Sequence, residues 1–61
     1  MTVKEFKENS IGIFEIDYYY QSKRHLDEDK GQFDNCNIAY FDFDYYSGYG
    51  VCATLWVTDP T

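Results

Sequence analysis

From Phe41 to Asp44 the chain reads Phe-Asp-Phe-Asp, so ring and carboxylate change places at every step. Only an extended strand, whose successive side chains point to opposite faces, sorts such a run into one apolar and one charged side. A helix would spread the same residues around its circumference. The alternation extends in both directions and predicts a strand over Asn37–Tyr46, with Phe33 as its earliest start. Ala39, Phe41, Phe43 and Tyr45 share one side; Ile38, Tyr40, Asp42, Asp44 and Tyr46 share the other. Ser47-Gly48-Tyr49-Gly50 is a turn, and Val51–Thr58 is the returning strand, closed by Asp59-Pro60.

The hairpin's register follows from the same pattern. With Tyr45 opposite Val51, Phe43 meets Ala53, Phe41 meets Leu55 and Ala39 meets Val57, so every pair on that side is apolar. The opposite side then pairs Tyr40 with Trp56, Asp42 with Thr54 and Asp44 with Cys52. A slip of one residue would set Asp42 and Asp44 against Leu55 and Ala53, which exchanges the buried and wet faces.

Two further elements precede this hairpin. Thr2–Asn9 has the signature of a short helix: Thr2 can cap it, Glu5 stands where a capping box needs it, and Val3 and Phe6 share a face. Too short to hold alone, it must dock on the sheet, either over Ile11, Ile13 and Ile38 or over the Phe-rich side. Ile11–Tyr20 reads as a strand with Phe14, Ile16, Tyr18 and Tyr20 on one side and Ile11, Ile13, Glu15, Asp17 and Tyr19 on the other. Gln21–Gln32 is a polar, exposed connection. The expected fold is α+β, a short N-terminal helix with a three-stranded antiparallel sheet in meander order, forming a single small acidic domain over residues 1–61.

With 61 residues there is room for one core only, and a chain of that size buries about 60% of its unfolded surface. Aromatic residues at 21% set it apart from disordered acidic tails, and self-association is a common further support for small scaffolds. Eleven Asp or Glu against five Lys or Arg give a net charge of −6. That balance argues against direct nucleic-acid binding, which depends on cations meeting phosphates. No apolar run approaches the roughly 20 residues of a membrane span, and Met1–Glu8 holds no signal-like apolar stretch, so the expectation is a cytoplasmic chain.

No catalytic constellation is visible. His25 sits in the charged connection with no Cys or Ser nearby and reads as a solvated loop residue. The run from Asp27 to Gly31 fails as a calcium loop, because Gly31 would fall on a ligand position and Ile38 on the one that needs Glu. Ser47–Gly50 is too short for a phosphate loop. Cys36 and Cys52 form no metal-spaced pair. The hairpin register sets Cys52 opposite Asp44, eight residues from Cys36, or roughly 27 Å along the strand, and a disulfide needs about 7 Å. Two free thiols, no metal, no cofactor and no enzymatic activity are the expectation.

The charge excess is regional. Residues 1–10 and 21–30 are each balanced, and from Gly31 onward there is no Lys or Arg. The excess falls on Glu15, Asp17, Asp34, Asp42, Asp44 and Asp59. Glu15 and Asp17, like Asp42 and Asp44, are two apart and project from one strand face about 6.8 Å apart, similar to successive phosphates on a nucleic-acid strand. If the strands are neighbours, four carboxylates gather with Tyr19, Tyr40 and Tyr46 among them. Ordinary wet-face acidity that only aids solubility is the plain alternative.

In short length, strong acidity, aromatic-rich strands and lack of catalytic groups, the chain resembles the small phage-encoded DNA-mimic inhibitors: anti-CRISPR proteins, uracil-DNA glycosylase inhibitors and anti-restriction proteins. The resemblance covers the whole chain as composition and shares no aligned motif. It implies an inhibitor in the bacterial host cytoplasm that blocks the basic DNA-binding cleft of a defence or repair protein. Glu15, Asp17, Asp42, Asp44 and Asp34 would meet the cations there, with Asp59 as an extension. Tyr19, Tyr40, Tyr46 and Trp56 would serve as anchors. Two alternatives stand beside it. One is an interaction module or homodimer built on Tyr40 and Trp56 or on the Phe-rich face, and the other is an antitoxin or immunity protein that neutralises a nuclease.

Overall fold

The computed structural model describes residues 1–26 and 31–60. Helix α1 (Val3–Asn9) is followed by strands β1 (Ile13–Tyr20), β2 (Lys23–Leu26), β3 (Asn37–Tyr46) and β4 (Gly50–Thr58). The strands form one sheet in the order β2-β1-β4-β3, with β1 and β4 parallel and the other two pairings antiparallel. The fold is α+β as expected, but the sheet has four strands and is mixed, which corrects the antiparallel meander. Burial accounts for the order. β4 contributes Ala53, Leu55 and Val57, all buried, and the most apolar strand gains most from flanking on both sides. The acidic β3 is left at the edge.

The capping box forms: Glu5 N–H donates to Thr2 Oγ1 at 3.2 Å, and Thr2 N–H donates to Glu5 Oε1 at 2.9 Å. These two bonds satisfy donors that a helix start leaves free, and the bond from Thr2 N–H holds the Glu5 carboxyl below its ordinary pKa. Backbone bonds from Val3 N–H to Cys36 O and from Lys4 N–H to Asp34 O, each 3.0 Å, tie the helix to the segment before β3. Of the two docking faces open to it, α1 takes the Phe-rich one, with the Phe6 ring 6.4 Å from Phe41 and 6.2 Å from Phe43.

On that face three rows cross the sheet: Ile16, Ala53, Phe43; Tyr18, Leu55, Phe41; and Tyr20, Val57, Ile38. With Val3, Phe6, Phe33 and Cys36 the β1 and β4 members of these rows and Ile38 build the core, while Phe41 and Phe43 at the β3 end stay about half-exposed beside Phe6. The hairpin register holds from Tyr40 to Tyr46. It departs at one place, since a bulge between Ile38 and Tyr40 sets Ile38, and not Ala39, opposite Val57. The larger side chain thereby packs on the core and the methyl is left outside.

Three more expectations are corrected. Ile11 is 98% exposed and lies outside the strand, which begins after Gly12 at φ 86°. A second bulge, between Ile13 and Glu15, exchanges the sides assigned to Ile13 and Phe14, so Ile13 packs on the core and Phe14 faces out. The polar connection contains β2, joined to β1 by the two residues Gln21 and Ser22, both at positive φ (50° and 64°). His25 is therefore a half-buried strand residue, its ring 5.1 Å from Phe33, and not a solvated loop side chain. Most of the calcium-like run, Asp27–Lys30, lies outside the described residues.

Candidate functional site

Among the described residues a single seven-residue helix covers one side of this sheet and nothing covers the opposite face. Three rows cross it from β1 through β4 to β3: Glu15, Cys52, Asp44; Asp17, Thr54, Asp42; and Tyr19, Trp56, Tyr40. The four carboxylates proposed from the sequence thus share one face, although β4 stands between their strands. Within each row the outer residues lie two strand spacings apart, about 9.6 Å, and the rows are about 6.8 Å apart.

The aromatic row abuts the acidic ones. Tyr19 stacks on Trp56 at 5.3 Å and 9°, and Tyr40 tilts against the other side at 5.2 Å and 55°. At the far end Phe14 meets Tyr49 at 5.8 Å. With Tyr46, Glu15 and Asp44, this pair borders a concavity of about 210 Å³ floored by Cys52 and Thr54. Tyr19, Tyr40, Tyr46 and Trp56 therefore all lie on the face expected of them.

Asp34 and Asp59 do not. Asp34 lies beside the helix, where Lys7 Nζ approaches its Oδ1 at 2.9 Å. Asp59 accepts a hydrogen bond from Tyr20 Oη at 2.5 Å, and this bond raises the tyrosine's pKa above its ordinary value. Lys7 offsets the charge of Asp34, and Asp59 is engaged within the fold by a neutral hydroxyl.

Sequence reasoning missed Arg24. It pairs across the strands with Tyr19 and reaches Asp17, with Nη2 in contact with Oδ2 and Nε donating to the same oxygen at 3.2 Å. The hydrogen bond and the opposite charge raise the guanidinium's pKa. Arg24 neutralises one of the four carboxylates; Glu15, Asp42 and Asp44 form no ion pair among the described residues. Asp17 Oδ1 is buried without a hydrogen-bond partner. Phe14 was also missed, because period two carries no trace of the bulge that turns it outward. For Arg24 the only signal was the run Lys23–Leu26, too short and too polar to read as a strand.

Cys52 sits between Glu15 and Asp44, and burial followed by those carboxylates and Asp17 pushes its thiol pKa up. Burial does the same to Cys36, with Asp59 adding to it. Both thiols are free and held protonated, which works against nucleophilic use. Among the described residues no group of three His, Cys, Asp or Glu is placed to hold a metal ion, and no helix is long and apolar enough to cross a membrane. Comparison with known protein families, curated proteins and solved structures finds no match.

Proposed function

We propose that the open sheet face docks a cationic protein surface and that the chain acts as an acidic inhibitor, occupying the basic nucleic-acid cleft of a host defence or repair protein. The observation that carries the reading is the pair of rows Glu15–Cys52–Asp44 and Asp17–Thr54–Asp42 on one uncovered face. Like charges so placed cost stability, yet the chain spends Lys7 on Asp34 and one guanidinium on Asp17, and leaves the other three carboxylates unpaired among the described residues.

The neighbouring ring row supports the same reading. Tyr and Trp are enriched among binding hot spots, and the face of an indole attracts Lys and Arg. A cleft lined with cations would meet both features, and opposite charge would speed the encounter. The contact needs no cofactor and no chemical step.

The test is capture of basic DNA-binding proteins from a bacterial lysate in low salt, followed by release with rising salt and by competition with duplex DNA. The expected result is a retained nucleic-acid-binding protein whose DNA binding is blocked by the wild-type chain and restored when Asp42→Asn is combined with Asp44→Asn. Unchanged inhibition by that double variant overturns the reading.

A second reading has its own observation. Phe41, Phe43 and Tyr45 are 51%, 45% and 73% exposed beside the helix, so the opposite face also offers apolar area, as a homodimer would need. Sedimentation that shows a dimer stable in high salt favours it.

A further inference from the structure

The outer edge of β3 is the feature that the open-face reading does not use. β3 is the last strand in the sheet order, ten residues long. Its beginning is occupied by the chain's own terminus, where Thr2 bridges Asn37 and Ile38 N–H donates to Met1 O at 2.9 Å. Past that contact, from Tyr40 to Tyr46, no segment among the described residues pairs with the edge. Edge strands are normally protected by charged side chains, Lys above all, by Pro, by a mid-strand bulge or by a cover. This stretch contains neither Lys nor Pro, and its bulge lies before it. Its protection is the charge of Asp42 and Asp44, with Phe43 N–H donating to Asp42 Oδ1 at 2.9 Å, and that protection repels anionic strands but attracts a cationic one.

The two faces of that edge differ in chemistry. Phe41, Phe43 and Tyr45 are about half-exposed or more on the helix side, and Asp42 and Asp44 point to the open side. A strand laid alongside would therefore gain by placing apolar side chains on one face and cations on the other. We infer that the Tyr40–Tyr46 edge takes, by strand addition, an extended segment of a partner protein in which Lys or Arg alternates with apolar residues. A second copy of this chain is the weaker occupant. Two β3 strands related by a two-fold axis would bring Asp42 and Asp44 toward their own copies, in chains that each carry −6. The inference rests on the cationic-partner reading for its charge and adds the backbone pairing that the reading lacks.

The test titrates the whole chain with synthetic peptides of about eight residues, within the usual range of strand lengths. One alternates lysine and valine, one holds the same residues in two blocks, and one alternates glutamate and valine. Amide exchange and chemical shifts are followed by NMR. The alternating lysine peptide is expected to bind about tenfold tighter than its block isomer and to slow exchange across Tyr40–Tyr46 about tenfold, with the glutamate peptide doing neither. Equal, salt-sensitive binding of both lysine peptides with β3 unprotected overturns the strand addition and leaves the open-face reading standing. Failure of both lysine peptides to bind overturns the two together. A chain that alone is dimeric, with those same amides already protected, assigns the edge to a second copy and overturns the inference.

Discussion

Trp56 lies nearly parallel to Tyr19 across the β1/β4 pairing, ring centroids 5.3 Å apart at 9°. Tyr40 closes on the same indole from β3, so one ring joins three strands on the side of the sheet opposite α1. The open face therefore holds a packed ring row as well as charge, and the two can be separated by mutation.

Removing the central ring should cost stability. Each of its two aromatic contacts contributes about 0.5–1.5 kcal/mol beyond the area buried, so Trp56→Ala is expected to destabilise the fold by at least about 1–3 kcal/mol in urea unfolding. Trp56→Phe should restore most of the loss. Because this is the chain's single Trp, its emission in the wild type also reports on the face, and a cationic partner should shift it.

The acidic rows should behave in the opposite sense. Asp42 and Asp44 project from one strand with no ion-pair partner among the described residues, and their mutual repulsion opposes folding. Asp42→Asn with Asp44→Asn is expected to raise stability at low ionic strength by about 0.5–1 kcal/mol. The gain should fade in high salt as the charges are screened. A thermal melt at two salt concentrations checks this. Loss of stability in the double variant would mean that the carboxylates are structural.

Legibility followed local chemistry. The Phe-Asp alternation held the β3/β4 register from Tyr40 to Tyr46, because a slip would bury Asp42 and Asp44. Thr2 and Glu5 announced the helix cap for an equally local reason. What failed was non-local or depended on backbone detail. The parallel β1/β4 pairing arises from competition among strands for the central place, and single-residue bulges at Phe14 and Ala39 leave no mark in a period-two pattern. Strand β2 was hidden because its turn lacks the Asn, Asp or Gly that signals one. Of the candidate site, both carboxylate pairs and the ring row were readable; Arg24, on that hidden strand, was not.

That turn makes a third prediction. Gln21 and Ser22 both hold left-handed backbone angles, which cost an ordinary residue about 1 kcal/mol each relative to Gly or Asn. Gln21→Asn with Ser22→Gly is expected to stabilise the chain by about 1–2 kcal/mol, the added freedom of glycine in the unfolded chain offsetting part of the relief, seen as a higher urea midpoint with an unchanged slope. A neutral or destabilising result would show that the turn is not under backbone strain.

The last prediction concerns pH. Burial, and then Glu15, Asp17 and Asp44, raise the pKa of Cys52 above that of a free thiol. A group whose pKa is raised on folding favours its protonated form in the native state. Its stabilising share is therefore complete below the unfolded pKa, about 8.5, and is lost as pH rises through the higher folded value. Two measurements follow. Alkylation by iodoacetamide, which consumes thiolate, should have its pH midpoint above that of a free cysteine. Asp44→Asn should move the midpoint down by removing one of the facing charges, provided Cys36→Ser is present so that a single thiol is read. If Asp44→Asn leaves the midpoint where it was, burial with Glu15 and Asp17 accounts for the raised thiol pKa, and Asp44 adds nothing to the field at that point of the acidic face.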